Sequence, residues 1–173
     1  MAEGLLRARA EARGVELDVA SCGVSFTGRP ATVEAVRAAR ARGADIADHT
    51  SAVLDRRSVA DADLVIGMER QHGREALVLD SSAVAKSFTF KDIVRRAEAA
   101  PARTDTESPE AWLARVGAGH QARDLVGYDA ADEVADPYAH PMPVYDACAD
   151  EIADLVDRLL DRAWPRRSAE GAA

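Results

Sequence analysis

The sequence predicts an α/β fold built on a doubly wound parallel sheet. Segments with helical periodicity alternate along the chain with short apolar runs, which is typical of this class. The run at residues 64–68 is apolar throughout, as in a parallel strand covered on both faces. Hydrophobic residues make up 47% of the 173 positions, enough for the core of one domain. We therefore expect a single domain over residues 1–164 and a flexible tail over residues 165–173.

The chain begins directly with a helix. Met1, Leu5, Ala8 and Ala12 lie on one helical face, and Gly14 follows as a stop signal. In α/β proteins, the strand and loop ahead of the first helix often carry the chemistry. We expect that such a strand and loop precede Met1 in the native product.

Further elements follow in alternation. Strands are predicted at 15–21, 64–68 and 83–90, and helices at 32–42, 69–77, 91–99 and 144–164. Ser58 has the spacing of a capping box with Asp61. Ser108, followed by Pro109, predicts the start of another helix. Three prolines hold the loop at 132–143, which precedes the last helix.

Composition excludes several classes of function. The net charge of −8 argues against a nucleic-acid partner and against an anionic membrane surface. No apolar run approaches the roughly 18 residues that span a bilayer. Two cysteines and no export signal indicate free thiols in the cytoplasm. The four histidines are scattered, so we expect no metal and no cofactor.

The tripeptide Asp136-Pro137-Tyr138 is the most suggestive local motif. Pro137 restricts Asp136 to an extended conformation, which directs the carboxylate away from the loop. That carboxylate could act as a general acid beside an aromatic ring. Taken alone, however, the motif fits an ordinary turn better, with the aspartate capping a backbone N–H group.

Four motifs occur in a characteristic order: Met-Ala-Glu-Gly-Leu-Leu at the start, Ala-Ser-Cys-Gly at 20–23, Asp-Leu-Val-Ile-Gly-Met-Glu-Arg-Gln-His at 63–72, and Asp-Pro-Tyr at 136–138. In this order they resemble the low-molecular-weight protein tyrosine phosphatase family. The resemblance covers residues 1–77 and 132–162 and is weak over 78–131.

The resemblance implies a four-stranded sheet whose first strand is central and leads into a loop with Cys, five residues and Arg-Ser-Pro. That strand and loop are missing from this sequence, which resembles the family only from the following Met-Ala-Glu onward. In the family, the loop N–H groups and Arg hold the phosphate, and the thiolate attacks phosphorus. The Asp of Asp-Pro-Tyr protonates the leaving phenol, and water then hydrolyses the cysteinyl-phosphate.

The resemblance assigns roles to four residues. Asp136 matches the general acid, and Tyr138 matches the aromatic residue that flanks the substrate ring. Ser21 matches a serine that orders the phosphate loop, although an ordinary turn serine fits equally well. His49 matches a histidine that supports this region, although a lone histidine is more often structural.

Neither cysteine of the sequence fits the nucleophile. Six residues separate Cys22 from Arg29, one too many, and we expect Cys22 to be a small buried residue. Cys148 has Asp154 at the position where an arginine is required. The sequence as it stands is therefore expected to be inactive unless the true start lies upstream.

The function that the resemblance implies is phosphomonoester hydrolysis, with a phosphotyrosine protein or a small aryl phosphate as substrate. The first alternative is a catalytically silent, phosphatase-like binding domain. Arsenate reductase is less favoured, because it needs additional redox cysteines near the nucleophile. The sequence carries no signal for the oligomeric state.

Overall fold

The computed structural model describes residues 1–166, which form helices around a small parallel sheet. In chain order the elements are α1 (Ala2–Glu11), α2 (Val33–Arg40), α3 (Arg56–Asp61), β1 (Val65–Gly67), α4 (Arg70–Leu79), β2 (Ser87–Thr89), α5 (Phe90–Ala99), α6 (Pro109–Val116) and α7 (Met142–Ala163). Two 3₁₀ helices span Ser81–Lys86 and Ala122–Leu125. None of the helices within residues 1–166 is long and apolar enough to cross a membrane.

The sheet joins β1 to β2 in parallel, with Val65 opposite Ser87 and Gly67 opposite Thr89. Helix α4 makes the crossover between the two strands. This arrangement confirms the predicted α/β fold and the strand predicted at 64–68. The strand predicted at 83–90 was too long, because its first half is the 3₁₀ helix. Asp80 favours that helix by accepting a hydrogen bond from the N–H of Ser82 at 2.9 Å.

The strand predicted at 15–21 is not formed. Its side chains still alternate, with Val15, Leu17 and Val19 half-buried and the residues between them exposed. Within the described residues, however, no backbone ladder joins this segment to a neighbouring strand. Hydrophobic alternation predicts which side chains face the core, whereas a strand also needs a hydrogen-bonding neighbour.

The core is organised around α7. This 22-residue helix packs against α1, α5 and α2. Its buried face includes Ile152, Val156, Leu159 and Leu160. Leu5 of α1 is fully buried in the same cluster, together with aromatic and aliphatic side chains of β2, α5 and α6. The long last helix therefore fixes the positions of the helices that surround the sheet.

Helix starts largely follow the sequence signals. Ser108 caps α6 by accepting a hydrogen bond from the N–H of Ala111, with Pro109 as the first helical residue, as predicted. Helix α3 differs, because its N-cap is Asp55, which forms the capping box with Ser58. The predicted box from Ser58 to Asp61 was wrong, because Ser58 already lies one turn inside the helix. Of the predicted tail, residues 167–173 lie outside the described part of the chain.

Candidate active site

Glu3, in the first turn of α1, connects two of the predicted site residues. The hydroxyl of Ser21 donates a hydrogen bond of 2.5 Å to Oε2 of Glu3. Nδ1 of His49 lies 3.4 Å from the same oxygen. Arg7 holds the other oxygen, Oε1, at 2.5 Å, and also donates to the carbonyl of Val19 at 2.7 Å. The first turn of α1 thus lies against both segments that carry Ser21 and His49.

The Glu3 carboxyl is charged at neutral pH. Its side chain is only 16% exposed, and this burial alone would raise its pKa. Hydrogen bonds from Ser21 and Arg7 more than offset the burial and hold the pKa below its usual range. Sequence reasoning missed Glu3 as a site residue, although the Met-Ala-Glu motif that contains it supported the resemblance.

A cavity of about 470 Å³ opens beside this cluster. Its walls come from the first two turns of α1, from Ser21 and from residues 45–50. Acidic Asp45 and Asp48 share the walls with Arg7 and His49. Because most of the residues in its walls are charged or polar, the cavity suits a polar loop better than an apolar ligand. Among residues 1–166, no group of three or more potential metal ligands is assembled.

Asp136 and Tyr138 lie on a tight surface turn. Oδ1 of Asp136 accepts a hydrogen bond from the N–H of Tyr138 at 3.0 Å, and Tyr138 is 65% exposed. Within residues 1–166, Oδ2 of Asp136 accepts no hydrogen bond. The carboxylate therefore fixes the turn with one oxygen and presents the other to the surface. No hydrogen bond or ion pair of the described residues joins it to Ser21, Glu3 or His49.

Neither cysteine is an activated thiol. Cys22 is exposed, so the prediction that it is buried was wrong. It lies in a surface loop that a bridge between Gly23 and Val53 ties down, rather than in the core. Local desolvation nevertheless raises its pKa, with the charge of Asp55 adding to the effect. Burial raises the pKa of Cys148 to about 11, so both thiols are protonated at neutral pH.

The family model for low molecular weight phosphotyrosine protein phosphatase matches residues 1–110. The chain belongs to this family. The match covers α1, the Glu3 cluster and the sheet, and it ends before the Asp-Pro-Tyr loop. The roles expected for Asp136 and Tyr138 therefore rest on the motif at 136–138 and on the position of its turn. The curated proteins searched contain no match to the chain.

Solved structures of phosphatases share the fold. The low molecular weight protein tyrosine phosphatase from T. tengcongensis is 28% identical, with a TM-score of 0.66 over 92% of this chain and 87% of its own. A YwlE mutant from Bacillus subtilis is 26% identical, with a TM-score of 0.65 over 91% and 84%. The YwlE arginine phosphatase from Geobacillus stearothermophilus is 27% identical, with a TM-score of 0.64 over 92% and 80%.

Proposed function

We propose that this protein is a phosphomonoester hydrolase of the low-molecular-weight tyrosine phosphatase type, acting on phosphotyrosine proteins or small aryl phosphates. The observation that carries the proposal is the Ser21–Glu3–His49 cluster on the first turn of α1 in a member of this family. Ser21 and His49 support the nucleophile loop, and Glu3 accepts a hydrogen bond from Ser21 and lies beside His49. Tyr138 flanks the substrate ring, and Asp136 is the general acid.

In the proposed reaction, a cysteine thiolate attacks phosphorus and forms a cysteinyl-phosphate. The bond from phosphorus to the phenol oxygen breaks while the Asp136 carboxyl donates its proton to that oxygen. Water then hydrolyses the phosphorus–sulfur bond and releases phosphate and the thiol. The sequence contains no Cys-x5-Arg, and its two thiols are protonated at neutral pH. Residues 1–173 alone are therefore expected to be inactive.

A gain-of-function experiment tests this proposal. The 173-residue chain is compared with a fusion that carries, ahead of Met1, the strand and Cys-x5-Arg-Ser-Pro loop of a family member. We expect turnover of phenyl phosphate by the fusion only, dependent on the added cysteine. In the fusion, Asp136→Asn should lower kcat by about 10²–10⁴-fold, the range of general-acid catalysis.

Asp63→Asn is the matched control, because Asp63 is exposed and lies outside the proposed site. Cysteine-dependent turnover by residues 1–173 alone would contradict the proposed roles, as would an unchanged kcat in Asp136→Asn.

The substrate class can be tested on the same fusion. One relative is described as an arginine phosphatase, so phosphoarginine is compared with phosphotyrosine. The exposed Tyr138 ring beside Asp136 favours a flat aryl group, since aromatic rings stack on one another. We expect kcat/KM for phosphotyrosine to exceed that for phosphoarginine. Tyr138→Ala should reduce this difference in kcat/KM between the two substrates.

A catalytically silent binding domain is the second candidate. The half-buried segment at 15–20 joins no strand ladder among residues 1–166, and this favours the second candidate, because a strand from a partner could pair there. This reading requires the 173-residue chain to be folded in solution and the fusion to lack turnover. Size-exclusion chromatography, circular dichroism and the phosphatase assay together distinguish the two candidates.

We also propose that residues 1–164 act as one domain in the cytoplasm, without a nucleic-acid partner. Two free thiols suit a reducing compartment, and the acidic net charge repels nucleic acid.

A further inference from the structure

Arg70 donates hydrogen bonds to the segment that leads into the Asp-Pro-Tyr loop. It is the first residue of α4 and lies just beyond the carboxyl end of β1. Its guanidinium donates to the carbonyl of Val126 at 3.0 Å and to Oδ2 of Asp129 at 3.2 Å. Two further hydrogen bonds, of 3.1 and 2.5 Å, go to Oδ2 of Asp132. One side chain thus holds three points of the segment between residues 126 and 132.

Asp132 is the most buried of these contacts. Its side chain is 9% exposed, and its Oδ1 accepts a hydrogen bond of 2.9 Å from Arg95. Burial alone would raise its pKa, but Arg70 and Arg95 hold the pKa below its usual range. Two residues later, the N–H of buried Val134 donates to the carbonyl of Met68 at 2.8 Å. The chain is therefore fixed to the junction of β1 and α4 at both positions.

Asp136 follows this anchor closely. Two extended residues span at most about 7 Å, so the position of Val134 confines the backbone of Asp136 to a small region. Beyond it, the N–H of His140 donates to the carbonyl of Pro137, and the turn leads into α7. Asp136 itself is exposed and makes no ion pair with the rest of residues 1–166. The position of Asp136 is therefore set by the buried residues that precede it, Asp132 and Val134.

We propose that Arg70 is a positioning residue for the general acid, acting through Asp132 and without touching the substrate. The inference rests on the proposed role of Asp136 and extends it to the β1–α4 junction. A purely structural ion pair would stabilise the whole fold. A positioning residue instead governs the order of one loop and the catalytic step that this loop serves.

The first experiment uses the 173-residue chain and measures amide exchange by NMR. The amides of Val134, Tyr138 and His140 report on the loop, because each donates a hydrogen bond there. Arg70→Gln should speed their exchange at least tenfold while the buried amides of α7 are unchanged, and Arg70→Lys should have a smaller effect. Arg57→Gln is the control, because that side chain is 89% exposed. Unchanged loop exchange, or an equal rise in α7, would overturn the proposal.

The second experiment uses the active fusion and two substrates. Phenyl phosphate needs a proton on its leaving oxygen, whereas 2,4-dinitrophenyl phosphate releases a stable phenolate without one. Arg70→Gln should lower kcat at least tenfold for phenyl phosphate and hardly at all for the dinitrophenyl ester, as Asp136→Asn should. The double variant should show no further loss, because both changes affect one step.

The outcomes separate the two proposals. If Asp136→Asn shows no preference between the substrates, the proposed general acid fails whatever Arg70 does. If Asp136→Asn shows the preference and Arg70→Gln lowers both rates equally, only the positioning role fails.

Discussion

Glu3 accepts hydrogen bonds from two side chains, Ser21 and Arg7, and lies close to His49. The sequence assigned Ser21 and His49 to the site but not the carboxylate between them. Residue types alone could not reveal it, since the link spans three segments far apart in the chain. Burial of a charged group is stable only with such partners, so the cluster is sensitive to the loss of one member.

We expect Glu3→Gln to destabilise the protein by about 1–2 kcal/mol at pH 7, because charge-assisted hydrogen bonds are lost. The folded-state pKa of Glu3 is lowered, so its stabilisation exists above the ordinary value of 4.5 and disappears as the pH falls through the lowered pKa. Urea unfolding at pH 7 and at a pH below this lowered pKa measures the difference. The exposed Glu16→Gln is the control, and a gap that persists in acid would contradict the assignment.

Ala139 has a φ of +61°, in the left-handed region that favours glycine. We expect Ala139→Gly to raise the free energy of unfolding, by less than about 1 kcal/mol, because relief of the Cβ strain exceeds the added chain entropy. Ala12→Gly, at a right-handed φ of −61°, should instead lower it. Thermal unfolding of both variants measures the effect, and destabilisation in both would show that the turn is not strained.

At the scale of elements, helices were predicted better than strands. Helix starts depend on local signals, and Ser108 with Pro109 placed the start of α6 correctly. Strands depend on partners distant in sequence, so the alternation at 15–21 could not show that a ladder is absent. The fold class could still be predicted, because the apolar run at 64–68 belongs to a strand paired in parallel with β2.

Helix α1 lies unusually close to the segment that follows α2. A Cβ atom at Gly4 would overlap Cγ2 of Ile46, the branch methyl of a buried side chain. We expect Gly4→Ala to destabilise by about 1–3 kcal/mol through overpacking, despite the better helix propensity of alanine.

Ile46→Leu removes the branch that Gly4→Ala would strike. The double variant Gly4→Ala/Ile46→Leu should therefore be less destabilised than the sum of the single variants, which chemical denaturation can measure. Simple additivity would show that the close approach does not limit the helix position.

At the scale of the whole molecule, stability is distributed unevenly. The amides of residues 16–20 have no backbone acceptor among the described residues, whereas α7 is hydrogen-bonded and buried. We expect the amides of residues 16–20 to exchange with solvent at least 100-fold faster than those of α7, since local opening costs little free energy in this segment. Hydrogen exchange with mass spectrometry measures the contrast. Comparable protection in the two regions would mean that the segment has acquired a strand partner, and dilution would test whether that partner is a second copy.

The candidate site was predicted in part. The four motifs in order were enough to indicate the family, since each motif is short but their succession is specific. The contacts of Asp132 with Arg70 and Arg95 could not be predicted, because they join segments 62 and 37 residues apart. Arg95 also lies in the region where the resemblance is weakest.

The organisation of the core around α7 also has a consequence for protein synthesis. This helix is the last element of the described residues and leaves the ribosome after α1, α2 and α5, so those helices emerge before the surface that buries them exists. The nascent chain must therefore keep these apolar faces covered, by transient contacts or by chaperones, until translation reaches α7. A premature stop codon before Met142 would release a chain that lacks the centre of its core, and such a product is expected to be degraded rather than to fold.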